Sequence, residues 1–141
     1  MRLPKAYDAH GKISQLVQNI DYAPTFLELA GVPIPQDIQG QSLVPLLKGE
    51  KPDNWRKSLY YHFYEFPGEH AVRRHYGIRT DRYKLIHFYN DIDTWELFDL
   101  KKDPAEMKNL IDNPKYKPVI DDLKTQLKKL QEQYNDPIIN K

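Results

Sequence analysis

The stretch "SLYYHFYEFPGEHAVRRHYGIRTDRYKLIHFYNDIDTWELFDL", residues 58–100, decides the fold. Leu59, Tyr61 and Phe63 alternate with Tyr60, His62 and Tyr64, a period of two that predicts a strand. Across Ala71–Arg79, Val72, Arg74, Tyr76 and Ile78 take one face, and Arg73, His75, Gly77 and Arg79 take the other. "TDR" is a tight-turn signal and "YKLIHFY" reads as a third strand. "NDID", with Asp91 and Asp93, turns the chain again into "TWELFDL". Strands joined in this way predict a four-stranded antiparallel meander.

Downstream, Asp103 with Pro104 and Glu106 reads as a capped helix start. Val119, Ile120, Leu123, Leu127, Leu130 and Tyr134 then recur at helical spacing, with charge on the opposite side. This predicts an amphipathic helix laid across the sheet. Upstream, "ISQLVQNI" (Ile13–Ile20) reads as a short strand. In "DYAPTFLELAG", Asp21 takes the N-cap position, Pro24 the first turn and Gly31 the stop of a short helix. "VPIPQDIQG" is a loop, and "SLVPLLKGE" holds one or two helical turns from Ser42. The fold class is α+β: a four-stranded antiparallel sheet packed by a long C-terminal helix, preceded by a strand–helix segment.

The 141 residues suffice for one compact domain or a small domain with an appendage. Twenty-one Lys and Arg face 20 Asp and Glu, for a net charge of +1. That balance excludes a general nucleic-acid binder and makes any electrostatic attraction local. Cysteine is absent, which excludes disulfides, thiolate metal sites and a cysteine nucleophile. No apolar run approaches the ~18 residues that a membrane helix needs, and "MRLPKAYDAHGK" has no apolar signal-peptide core.

Five histidines stand at positions 10, 62, 70, 75 and 87. His70 and His75 are five apart, not at the i, i+4 spacing of a helical zinc site. Convergence of His62, His75 and His87 across neighbouring strands would make a three-histidine metal site; the alternative is half-buried sheet histidines with hydrogen-bond partners. The basic run His70, Arg73, Arg74 and His75 follows the turn-rich "EFPGE". Arginine's planar fork suits sulfate, phosphate or carboxylate oxygens; ordinary salt-bridging on a sheet face is the plainer reading. The carboxylates form no strong pair, and Ser14, Ser42 and Ser58 stand in no nucleophile elbow. The residues by themselves describe an anion-friendly loop without a self-contained active site.

Three segments in order resemble the sulfatase family. "NIDYAPTFLELAGVPIPQDIQGQSLVPLLKGE" is similar to its "(N/S)xDxxPTxLxLAGxxxPxxxxGxSLxPLLxG" pattern, "YGIRTDRYKLI" to its "RTxxYKLI" strand pair, and "WELFDLKKDPAEMKNL" to its "xELYDLxxDPxExxNL" ending. The subgroup resembled is bacterial sulfatases acting on sulfated glycans, near the heparan and N-acetylglucosamine-6-sulfate types. The resemblance implies a C-terminal portion: residues 1–56 as the end of a large alkaline-phosphatase-like α/β domain, and residues 57–141 as the smaller C-terminal subdomain. It places a formylglycine, made from a C/S-x-P-x-R motif, and a calcium ion in the N-terminal domain; this sequence contains no such motif. The expectation is therefore a truncated reading frame or an excised fragment, inactive alone, with no cofactor of its own. Its expected partners are the N-terminal sulfatase domain, a sulfated glycan reached through the full-length enzyme, and further copies of itself through exposed apolar surface. The family implies a periplasmic or extracellular location for the full-length protein. Within "EHAVRRH", His75, Arg74, Arg73 and His70 are the candidate substrate-binding residues, with His75 first because it precedes "YGIRT" directly. The alternatives are a stand-alone module for sulfated or other anionic sugars and a small histidine-dependent metalloenzyme.

Overall fold

The computed structural model describes residues 12–90 and 92–137; His10 and Asp91, named above, lie outside them. The chain divides into two compact units, Met1–Lys57 and Ser58–Lys141.

The first unit is organised around one carboxylate. Asp21 is 0% exposed and precedes helix α1, Tyr22–Leu29. Its side chain does not cap that helix. It accepts a two-pronged bond from Arg56, Nη2 to Oδ1 at 2.7 Å and Nη1 to Oδ2, together with the amides of Gln18 at 2.8 Å and Gln41 at 2.9 Å. A buried carboxylate is tolerable only when its lone pairs are filled in this way. The Thr25 hydroxyl donates to the Asp21 carbonyl and accepts the Leu43 amide at 2.8 Å. That bond ties α1 to the entrance of the short helix α2, Val44–Leu47. A Cβ on Gly40 would lie 2.1 Å from the Ile20 carbonyl oxygen, so only glycine fits that approach. Gly31, at φ +69°, ends α1 as read. Trp55 Nε1 donates to the Leu16 carbonyl at 3.0 Å. The strand expected over Ile13–Ile20 does not form: the segment is irregular and passes into a 3-10 turn at Asn19–Asp21. Its amide at Gln18 bonds to the Asp21 side chain rather than to a neighbouring strand.

In the second unit, β1 (Ser58–Phe63), β2 (His75–Thr80), β3 (Tyr83–Phe88) and β4 (Thr94–Asp99) form one sheet in sequence order, each pair antiparallel. The meander is the expected one. Pairing sets Tyr60, Ile78, Leu85 and Leu97 in one row. Against that face lies helix α3, Lys117–Gln133. Ile120, Leu123 and Leu127 complete the core with Leu110, so the apolar stripe of α3 is buried as its spacing predicts. Gly77 is required on the other face, where a Cβ would sit 2.5 Å from both the Leu85 carbonyl oxygen and the Tyr61 hydroxyl.

Two boundaries differ from the sequence reading. β2 begins at His75, not at Ala71, because Arg73 and Arg74 belong to the loop before it. No helix starts at Asp103. Its carboxylate accepts the Lys108 amide at 2.8 Å, Glu106 turns to φ +55°, and the Glu106 carboxylate takes Lys84 Nζ at 2.6 Å. The cap residues are present, but they close a turn.

Candidate functional site

The β1–β2 connection, residues 64–74, carries the basic run. Its Phe66–Pro67 peptide is cis. The Arg73 guanidinium lies 5.2 Å from the centre of the Phe66 ring, a cation–π distance. Arg74 points elsewhere: its Nε donates to the Tyr64 carbonyl at 3.0 Å. The Tyr89 amide donates to the Arg74 carbonyl at 3.3 Å, fastening the end of the loop to the end of β3. Glu69 and His70 are exposed at the loop tip.

His75 is half-buried at the start of β2. Its ring is packed among Phe63 (5.6 Å, stacked), Phe88 (5.3 Å) and Tyr61 (5.9 Å, edge-on). Its Nδ1 donates to the Arg73 carbonyl at 2.8 Å. It anchors the loop backbone from beneath. The four candidate residues thus divide into an anchored base, His75, and a rim formed by Arg73, Arg74 and His70.

The three sheet histidines do not converge. The pairs His62↔Tyr76 and Tyr76↔His87 put His62 and His87 on the helix side of the sheet. His75, which adjoins Tyr76 along the strand, faces the opposite side. His62 and His87 are also fully engaged. Asp136 accepts from His62 Nδ1 at 2.8 Å, which leaves Nε2 to accept the Tyr89 hydroxyl at 2.7 Å. His87 Nδ1 meets the Tyr76 hydroxyl at 2.7 Å and Nε2 meets Asp93 at 2.8 Å. Its ring stacks on Trp95 with 4.1 Å between centres, and Lys124 Nζ lies 4.2 Å from the same indole. Among the described residues no group of three or more His, Asp or Glu could hold a metal ion, and no helix is long and apolar enough to cross a membrane.

Asp136 is buried and also accepts the Tyr60 hydroxyl. Burial, reinforced by that carboxylate, pushes the Tyr60 phenol far above its ordinary range. Burial raises Tyr89 as well, and the positive charge of Arg74 partly offsets it. Tyr64, Tyr89 and Asp136 were not singled out in the sequence. The alternation that pairs residue 62 with 76 and 87 held a signal for the tyrosines. Asp136 follows the last helix and gave none.

The first 133 residues match the family described as N-sulphoglucosamine sulphohydrolase, C-terminal. The N-acetylglucosamine-6-O-sulfatase of Bacteroides thetaiotaomicron is 52% identical over 138 residues, covering 96% of this chain and 25% of that protein. A Delta 4,5-hexuronate-2-O-sulfatase of the same organism is 40% identical, covering 72% of this chain and 21% of the relative. A solved structure of a protein in complex with its substrate D-glucosamine-2-N,6-O-disulfate superposes with a TM-score of 0.80 at 54% identity, over 83% of this chain and 24% of that one. A phosphonate monoester hydrolase of Agrobacterium radiobacter superposes with a TM-score of 0.72 at 26% identity, over 86% and 26%. The chain spans about a quarter of the length of the first of these curated relatives and about a fifth of the second.

Proposed function

Because the chain belongs to the C-terminal family of the sulfatases, we propose that it serves as the C-terminal part of an enzyme that hydrolyses sulfate esters on a glycan. On this reading residues 1–56 complete the large catalytic domain and residues 57–141 form the smaller C-terminal subdomain. The β1–β2 loop supplies one edge of the substrate pocket, with Arg73, Arg74 and His70 at the rim and His75 holding the loop in shape. The 52% identity to an N-acetylglucosamine-6-O-sulfatase over 96% of the chain carries this reading and favours a sulfated glucosamine as substrate.

The calcium ion and formylglycine of such enzymes would be supplied by the N-terminal domain. Among the described residues no donor set fits a metal ion, and the sequence has no C/S-x-P-x-R motif. Its own contribution is binding: guanidinium groups align an anionic sugar, and charge-assisted bonds to sulfate oxygens fix its orientation.

A chimera tests the proposal. The corresponding quarter of the Bacteroides thetaiotaomicron N-acetylglucosamine-6-O-sulfatase is replaced by this chain. The chimera is expected to desulfate N-acetylglucosamine-6-sulfate, whereas the chain alone turns over neither that sugar nor an aryl sulfate. Changing Arg73 and Arg74 together to alanine should raise KM about tenfold with a smaller change in kcat. A folded but inactive chimera, or turnover by the chain alone, would overturn it.

A further inference from the structure

Tyr64 is 70% exposed, more than any other aromatic ring among the described residues, yet it is not loose. Its ring meets His62 edge-to-face, with 5.0 Å between centres and 89° between planes. His62 cannot swing away, because Asp136 and Tyr89 hold its two nitrogens at 2.8 and 2.7 Å. The Tyr89 amide donates to the Arg74 carbonyl, and Arg74 Nε donates to the Tyr64 carbonyl at 3.0 Å. Tyr64, His62, Tyr89 and Arg74 therefore brace one another in a closed circuit. Only Nε of the Arg74 guanidinium is used. Among the described residues Nη1 and Nη2 have no hydrogen-bond partner, and neither Glu65 nor Glu69 pairs with them.

A preset ring, on the residue whose carbonyl holds a guanidinium with two uncommitted nitrogens, matches one class of ligand. A pyranose offers an apolar C–H face, and a sulfate or carboxylate on it offers two oxygens for a forked bond. We propose that Tyr64 and Arg74 form a subsite for an anionic pyranose, with the sugar ring stacked on Tyr64 and its sulfate or carboxylate on Nη1 and Nη2 of Arg74. This deepens the sulfatase reading and rests on it for the sulfated sugar; it names Tyr64, which that reading does not require, and it separates Arg74 from Arg73, whose guanidinium lies over Phe66. Because the groups are already fixed by their neighbours, little ordering is lost on binding.

The test is an NMR titration of all 141 residues with N-acetylglucosamine-6-sulfate, glucuronic acid and N-acetylglucosamine. Saturable shifts are expected at Tyr64 and Arg74, with the two anionic sugars bound about tenfold more tightly than the neutral one. Sulfate and carboxylate recognition are distinguished by comparing the first two. Tyr64→Ala should weaken every sugar roughly tenfold, the scale of a truncated interface aromatic, while Tyr64→Phe retains binding. Arg74→Ala should abolish the preference for anionic sugars. Lys128→Ala, an equal change in net charge on exposed α3, should not. No saturable shift up to about 20 mM, shifts confined to other residues, or wild-type affinities in Tyr64→Ala and Arg74→Ala would each overturn the subsite while leaving the family role to the chimera. An inactive chimera with sugar binding intact at Tyr64 would instead sink the enzymatic role and keep the subsite.

Discussion

Asp21 shows how a residue can be placed well by sequence and still be misread. Its position before α1 suggested a cap, but the carboxylate instead receives Arg56 and two backbone amides. Nothing in the spacing from 21 to 56 announces that pair, because long-range partners leave no periodicity. Burial alone would raise the Asp21 pKa; Arg56 and the amides outweigh it and hold the group below its ordinary range. The sign for stability follows. The unfolded chain binds a proton more readily, so the contribution is complete above the unfolded pKa near ~4 and is lost as pH falls through the lower folded value. Chemical denaturation at pH 7, 4 and 3 should show this loss. Arg56→Met removes the dominant counterweight and leaves a buried charge. It should cost about 3–5 kcal/mol at neutral pH, with Asp21 then titrating above its ordinary range.

At the scale of elements, periodicity was legible and turn chemistry was not. The strand alternation and the α3 stripe both survive in the structure because the apolar face of the sheet and the apolar stripe of α3 pack against one another. Over residues 103–109 the local cap signals lost to tertiary bonds. There Asn109 Oδ1 accepts the amides of Leu97 and Ile111, each at 3.0 Å, while the Leu110 amide donates to the Leu97 carbonyl at 2.8 Å. A single side chain thus occupies bonding positions along the outer edge of β4, where an unpaired strand would invite another chain. Asn109→Ala should destabilise the second unit by about 1–3 kcal/mol. Hydrogen exchange should read it as faster loss of protection at Leu97 and Ile111 than at Leu85, which pairs between two strands.

For the whole molecule, the order of three sequence segments was enough to place the family, because residues they share hold the scaffold: Asp21, Thr25 and Gly40 in one unit and Asn109 in the other. The proposed binding rim was only half legible. Sequence gave the arginines, whereas Tyr64 and its bracing required the register of the sheet. Several apolar side chains of the first unit remain exposed, including Tyr22, Phe26 and Val32, with Phe26 at 58%. A catalytic domain would have apolar surface to cover here. The chain alone should therefore self-associate with rising concentration, seen as an increase in mean sedimentation coefficient. The double change Tyr22→Ser with Phe26→Ser should reverse it; a concentration-independent monomer would count against the exposed surface mattering.

The two indoles have a use of their own. Trp55 belongs to the first unit and Trp95 to the second, and the sequence has only these two. Trp95 is sandwiched by an imidazole and an ammonium group, so its emission should be quenched. Trp55, bonded through its ring nitrogen to the Leu16 carbonyl, has no histidine against it among its described contacts. Replacing either one by phenylalanine leaves a single optical probe, and melting curves from the two variants would show whether the halves of the chain come apart together or in succession.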